Sequence, residues 1–231
     1  GGSLIHWGAH FPRFHPSDFR VKTLEGVADD WPVSYEELEP YYDENDRMMG
    51  VSGLSGDPAY PEKPERPCPP LSIRKSGQLL AKAFDKLGWH WWASDTAISS
   101  IRHHDRDPDV GGYLRSFASA DLTYWPPAIK GGARLETYAR VREITVDESG
   151  NATGVLYYQD GELKEQRAKV VVLACNGVGT ARLLLNSKSA SFPNGLANSS
   201  GLVGKCLMHH PVGSVVGIFE QDLDEEPGGP R

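Results

Sequence analysis

One stretch constrains this chain more than any other: Val170–Ser187, VVVLACNGVGTARLLLNS. Val170 to Ala174 is a short, unbroken apolar run rich in β-branched residues, which suits a strand covered on both faces. It meets Asn176-Gly177-Val178-Gly179, a turn that permits positive φ and close backbone approach. Leu183, Leu184 and Leu185 then open a buried helix. Strand, glycine turn and helix make one half of a βαβ unit, and such a helix N-terminus presents free N–H groups to an anion or a cofactor. A core strand with a plain tight turn fits the same residues, so the rest of the chain has to decide.

Composition narrows the choices. The 231 residues are 39% hydrophobic and 24% charged, as in ordinary globular proteins, and are enough to bury a sizeable core. Lys+Arg 24 against Asp+Glu 31 leaves a net charge of −7 and no basic stripe, which argues against nucleic acid and anionic membrane surfaces as partners. No apolar run approaches the ~20 residues of a membrane-spanning helix. Cys68, Cys175 and Cys206 are odd in number and widely spaced, arguing against a disulfide framework or a zinc site. Cys175, at the end of the apolar run, is expected to pack as a small hydrophobe. The chain begins Gly1-Gly2-Ser3 without Met and ends Gly-Gly-Pro-Arg, which suggests a fragment.

Taken in order, Gly1–Phe14 lacks helical or strand periodicity. Ser34-x-x-Glu37 is a capping box, so Ser34–Met49 should be a helix ended by Gly50. Ser52–Pro70 is dominated by Gly and Pro and should be an irregular crossing between lobes. Ser76–Leu87 reads as a helix closed by Gly88, and His90-Trp91-Trp92 as a strand. Asp121–Gly132 should be helical in part. Four short strands then follow: Ala133–Tyr138, Val141–Val146, Gly154–Gln159 and Leu163–Ala168. The later ones are joined by turns at Glu148–Asn151 and Gln159–Gly161. His103, His104 and Asp105 belong to a polar loop better explained by solvation than by metal, so no metal site is expected. Glu36, Glu37, Glu39, Asp43 and Glu44 should form a solvated helix face. Arg13 could neutralise a phosphate or pin its loop through a carboxylate.

An antiparallel meander followed by a buried strand is the order found in two-dinucleotide-fold flavoproteins. GGSLIHWGAHFPRF resembles the glycine-rich segment of the glucose–methanol–choline (GMC) oxidoreductases, with Gly1, Gly2, Ser3, Gly8 and Arg13 matching and Trp7 replacing the usual Asn. That replacement also occurs in the branch of pyranose oxidases and membrane-linked sugar and sugar-acid dehydrogenases. WPVSYEELEPYY, LTYWPPA, YARVREITVDESGNATGV, VVVLACNGVGTARLLLNS and SSGLVGKCLMHHP resemble that branch as well. The branch has Asp-His-Pro where this chain has His209-His210-Pro211, a block taken as structural.

The resemblance implies an α/β chain with α+β elements, part of a two-domain FAD/NAD(P)-binding-like fold with a β-meander and a substrate domain. Residues 1–53 and 129–205 would belong to the FAD-binding domain. Residues 54–128 would form a crossing and substrate-domain segment, and 206–231 the start of the substrate-domain sheet. The implied function is FAD-dependent oxidation of the CH–OH group of an alcohol, sugar or polyol, with the electron acceptor unassigned. The other class of function is a non-catalytic remnant of the fold that binds a ligand or partner. Gly1, Gly2 and Ser3 would run under the flavin, with His6, Trp7, Gly8 and Ala9 near the ring. In pyranose oxidases the histidine of a similar Thr-His-Trp block carries the flavin covalently; Ile5-His6-Trp7 keeps only the His-Trp pair, which leaves covalent and non-covalent flavin both open. Val141 would read adenine through its backbone, its side chain lying in the core. Ala174, Cys175 and Asn176 would approach the phosphoribosyl region, as an edge contact and not the main phosphate cradle. In the family, GxGxxG precedes the GGS block and the catalytic histidine lies in a C-terminal block. Residues 1–231 should therefore hold no catalytic residue, bind FAD weakly and show no turnover. A nicotinamide-dependent dehydrogenase is disfavoured, because no GxGxxG with a following acidic residue is present.

Overall fold

The computed structural model describes residues 7–100, 117–209, 213–220 and 223. Two compact units divide the chain, 1–133 with 217–231 and 134–216. Helices and an antiparallel sheet are both present, a mixed architecture consistent with the α/β class. No helix among the described residues is long and apolar enough to cross a membrane.

Among its described residues the first unit holds a 3-10 turn at Pro16–Phe19 and five helices: α1 (Val21–Glu25), α2 (Tyr35–Met49), α3 (Lys75–Leu87), α4 (Ala120–Thr123) and α5 (Trp125–Lys130). α2 starts as its sequence dictates. The Ser34 hydroxyl accepts the Glu37 N–H, and the Glu37 carboxylate accepts the Ser34 N–H. Gly50 closes α2 and Gly88 closes α3, each in the left-handed conformation that glycine adopts without strain. Between these helices, residues 52–70 form no regular element, but both ends are tied to the core. Ser52 exchanges backbone hydrogen bonds with Thr96, at 2.8 and 2.9 Å, and Cys68 donates to Val51. The core gathers Ala9, Met49, Val51, Ala97, Ile98, Phe117 and Ala118, with Trp7, Phe11 and Leu71 packed on it.

A buried ionic cluster fastens this unit. Arg13, 4% exposed, donates through Nε and Nη2 to Asp46 Oδ2 at 3.1 and 2.5 Å and through Nη2 to Asp43 at 2.6 Å. Arg66 Nη1 reaches the same Asp46 oxygen, bringing the Pro-rich segment onto α2. Burial pulls the Arg13 pKa down, but its bonds to Asp46, Asp43 and Tyr35 and the charge of Asp46 outweigh this and hold it above the ordinary value. Arg13 therefore pins its loop through carboxylates. Asp43 and Asp46 are correspondingly not part of a solvated face, whereas Glu36, Glu37 and Glu44 are exposed.

The second unit is a meander, β1 (Arg140–Val146), β2 (Ala152–Gln159) and β3 (Glu162–Arg167), followed by helix α6 (Asn176–Asn186), which packs on β1. The two-residue turn between β2 and β3, Asp160-Gly161, has both residues at positive φ, as the twist of a tight hairpin requires. Three sequence expectations fail here or in the first unit. Ala133–Tyr138 and His90–Trp92 are irregular, and so is Val170–Ala174, with Val170 76% and Val172 81% exposed. A strand needs a paired neighbour for its N–H and C=O groups, and none of the three described strands runs beside 170–174. Asn176–Gly179 is not a separate turn but the first turn of α6.

Asp46 offers one oxygen to two guanidinium groups with almost no water nearby, so Asp46→Ala should lower the unfolding free energy by ~3–5 kcal/mol. Glu44→Ala, on the exposed face of the same helix, should change it by less than about 0.5 kcal/mol. Thermal and urea unfolding of both variants checks this; equal effects would contradict the clamp.

Candidate functional site

The candidate site in the second unit begins with an irregularity in β1. Arg140 and Val141 pair with Tyr158 and Tyr157, and Glu143 pairs with Leu156, leaving Arg142 as an extra residue in a β-bulge. In a regular strand adjacent side chains point to opposite faces; a bulge re-aims them. Arg140, Val141 and Arg142 consequently all line one cleft of about 520 Å³. The opposite wall is α6, through Gly179, Arg182, Leu183 and Asn186. These positions follow the i, i+3, i+4, i+7 spacing of one helical face. Cys175 and Tyr158 complete the lining with Ala139. At Gly179 a Cβ would lie 3.2 Å from the Cys175 Cβ, so a side chain there would require Cys175 to give by a few tenths of an ångström.

Ser187 holds the walls together. Its hydroxyl accepts the Ile144 N–H at 2.9 Å and donates to the Leu183 carbonyl at 2.7 Å, joining β1 to the last turn of α6. Ser187 is 2% exposed, and Ile144 and Leu183 are buried beside it.

Val141 and Cys175 are thus brought together, but not as expected. The Val141 side chain is 38% exposed and lines the cleft, because the bulge turns it out of the core. Cys175 is an exposed free thiol and not a buried hydrophobe, since the run before it is not covered. Ala174 and Asn176 line a different, open depression of about 570 Å³ with Leu173, Thr180, Leu184 and Gly204. Asn176, at φ 62°, turns its side chain onto the helix start and accepts the N–H groups of Val178 and Gly179 at 3.0 and 2.9 Å. The α6 N-terminus therefore satisfies two of its first four donors itself, so fewer free N–H groups are left there than expected.

In the first unit Ala9 is fully buried in the core at φ 53°, and its carbonyl accepts the Ala97 N–H at 2.8 Å. Gly8 is exposed. Trp7 packs edge-on against Phe11, with centroids 6.0 Å apart, and its indole N–H is buried without a hydrogen-bond partner among the described residues. Gly1, Gly2, Ser3 and His6 lie outside the described residues, as do His103, His104, Asp105 and His210. Among the described residues no three His, Cys, Asp or Glu side chains come together as metal ligands.

Not legible in the sequence were the three arginines of the cleft, Ser187, and an aromatic groove of about 440 Å³ between Leu54, Leu71, Trp89 and Trp92. The REITV run does alternate as a strand, but a bulge depends on the partner strand and leaves no local mark.

A family model described as GMC oxidoreductase matches residues 68–212. Over 223 residues the chain is 47% identical to a 2-methyl-1,2-propanediol dehydrogenase of Mycolicibacterium austroafricanum, covering 91% of this chain and 40% of the relative. It is 31% identical over 225 residues to a fructose dehydrogenase large subunit of Gluconobacter japonicus, covering 91% and 41%. It is 26% identical over 272 residues to a gluconate 2-dehydrogenase flavoprotein of Pantoea cypripedii, covering 98% and 44%. The chain spans about two-fifths of the length of these curated relatives.

Ser187→Ala removes the acceptor of the Ile144 N–H and leaves that donor buried, which should cost ~1–3 kcal/mol of stability. The Ile144 amide should then exchange with solvent deuterium faster than in the unsubstituted chain, with Ser199→Ala as a silent exposed control. An unchanged Ile144 exchange rate would contradict the assigned role.

Proposed function

The chain belongs to the GMC oxidoreductase family, and from that premise we propose that it forms the interior portion of an FAD-dependent oxidoreductase acting on the CH–OH group of an alcohol, sugar or polyol. The names of the relatives support this reading: a diol dehydrogenase, a sugar dehydrogenase and a flavoprotein acting on a sugar acid. The single structural observation that carries the cofactor assignment is the cleft that joins Val141 to Cys175. Its donor set fits the group: three guanidiniums and an asparagine face a cofactor rich in phosphate, hydroxyl and ring-nitrogen acceptors, and Leu183 supplies an apolar floor. The buried indole N–H of Trp7, without a partner among the described residues, is a further donor of the kind a flavin ring would satisfy.

When bound, FAD would supply the redox chemistry, as the acceptor of hydride from an alcohol carbon to flavin N5. The residues of this chain would hold and orient. Val141 and Cys175 would bracket the adenosine half. Ala174 and Asn176 stand at its edge, and Gly1, Gly2, Ser3, His6, Trp7, Gly8 and Ala9 form the segment assigned to the flavin side. Asn176 takes two of the first four N–H groups of α6, so that turn contributes position and not the main phosphate cradle. No residue of 1–231 is assigned as the base that takes the hydroxyl proton, and the GxGxxG fingerprint is absent from 1–231.

Titration of the 231-residue chain with FAD, followed by flavin fluorescence quenching, should give weak, saturable binding that ADP competes away. The same sample should reduce no redox dye when supplied with diols or sugars. Quenching that never saturates would contradict the cofactor assignment, and alcohol-dependent dye reduction would contradict the absence of a catalytic base.

A further inference from the structure

The cofactor reading leaves open what meets the negative charge in the cleft, and on that reading we propose that Arg182, seconded by Arg140, is the residue through which this chain recognises the phosphates of an adenine nucleotide. The whole chain carries more acid than base, 31 Asp+Glu against 24 Lys+Arg. The cleft inverts that balance: its lining contains Arg140, Arg142 and Arg182 and no carboxylate. Such local reversal in an acidic protein raises the concentration of anions at the cleft.

The three guanidiniums are not equivalent. Arg142 has a partner in Glu143 at 3.6 Å. Arg140 lies over the Tyr158 ring at 5.7 Å from its centroid, an arrangement that leaves its N–H edge able to bond elsewhere. Arg182 has no ion pair or hydrogen bond among the described residues, although it shares its helical face with the buried Leu183. It stands on the regular part of α6, whose far end Ser187 locks to β1, so its base is held at a fixed distance from the bulge.

Backbone groups compete only in part for the role. In many nucleotide sites the first N–H groups of a helix hold the phosphate. Here the Asn176 side chain already occupies those of Val178 and Gly179, two of the first four. The guanidiniums are the charged donors that the cleft lining offers a phosphate. A planar guanidinium can do so with two parallel hydrogen bonds, which the compact charge of lysine cannot reproduce. Tyr158 and Leu183 offer the flat and apolar surface that a base or ribose needs.

The probes are ADP and adenosine, which differ only in the charge at issue, measured by isothermal titration and equilibrium dialysis on the 231-residue chain. Arg182→Ala should weaken ADP about tenfold while moving adenosine by less than about twofold, the loss of one charge-assisted pair. Arg182→Lys should recover only part of the loss, and Arg140→Ala should weaken ADP by a smaller factor. Raised salt should shrink the difference between ADP and adenosine in the unsubstituted chain more than in Arg182→Ala. Arg182 is exposed, so circular dichroism and melting temperature should be unchanged. If the unsubstituted chain binds FAD and ADP and Arg182→Ala binds ADP equally well, the role of Arg182 is overturned and the cofactor reading stands. If the unsubstituted chain binds neither, both fall together.

Discussion

The cleft between β1 and α6 exists because one buried hydroxyl serves two chains of structure at once. Ser187 takes the N–H of Ile144 from the strand and gives its proton to the Leu183 carbonyl of the helix. Without it, the strand donor would face an apolar interior, and the helix could slide over Ile144. With it, the face carrying Gly179, Arg182 and Leu183 stays opposite the bulge at Arg142. Every functional assignment in this unit depends on that registration. The bulge supplies the side chains, and the serine fixes what they look at.

The first unit rests on a different constraint. Asp46 is a carboxylate with 4% exposure, set between Arg13 and Arg66. It joins three segments distant in sequence: the approach to the 3-10 turn, helix α2, and the Pro-rich stretch. A single apolar residue could not replace it, since two guanidiniums would remain buried with too few partners. The same unit buries Lys63 against Asp95 at 3.1 Å, with the ammonium 4.1 Å from the Tyr60 ring centroid. Paired buried charges thus organise a region whose chain, rich in proline, can make few ladder hydrogen bonds.

What was legible in the sequence was local. The Ser34–Glu37 cap, the glycines at 50 and 88, and the Asp160-Gly161 turn each act within a few residues, and their chemistry names the structure they make. The helix through Leu183–Leu185 was legible for the same reason, but its start at Asn176 was not. The run Val170–Ala174 was not, because an apolar β-branched segment states a need for cover but does not contain the strand that provides it. Arg13 shows the same limit at one residue. Its sequence context allowed a phosphate or a carboxylate, and the deciding partner lies 33 positions away. At the site, Val141 and Cys175, singled out separately in the sequence, line one cleft. Their exposure was not legible, since it follows from a bulge defined by pairing across the sheet. The family match over 68–212 agrees with the resemblance seen in separated blocks.

The nucleotide-binding surface proposed above joins the Arg140–Arg142 bulge to the 179–186 face of α6. A residue-resolved map of amide chemical shifts in the 231-residue chain during addition of ADP tests it. The largest saturable shifts should fall on 139–142, 158, 175 and 179–186, with the far strand, 162–167, unmoved. Shifts concentrated away from both walls of the cleft, or spread evenly over the second unit, would contradict it.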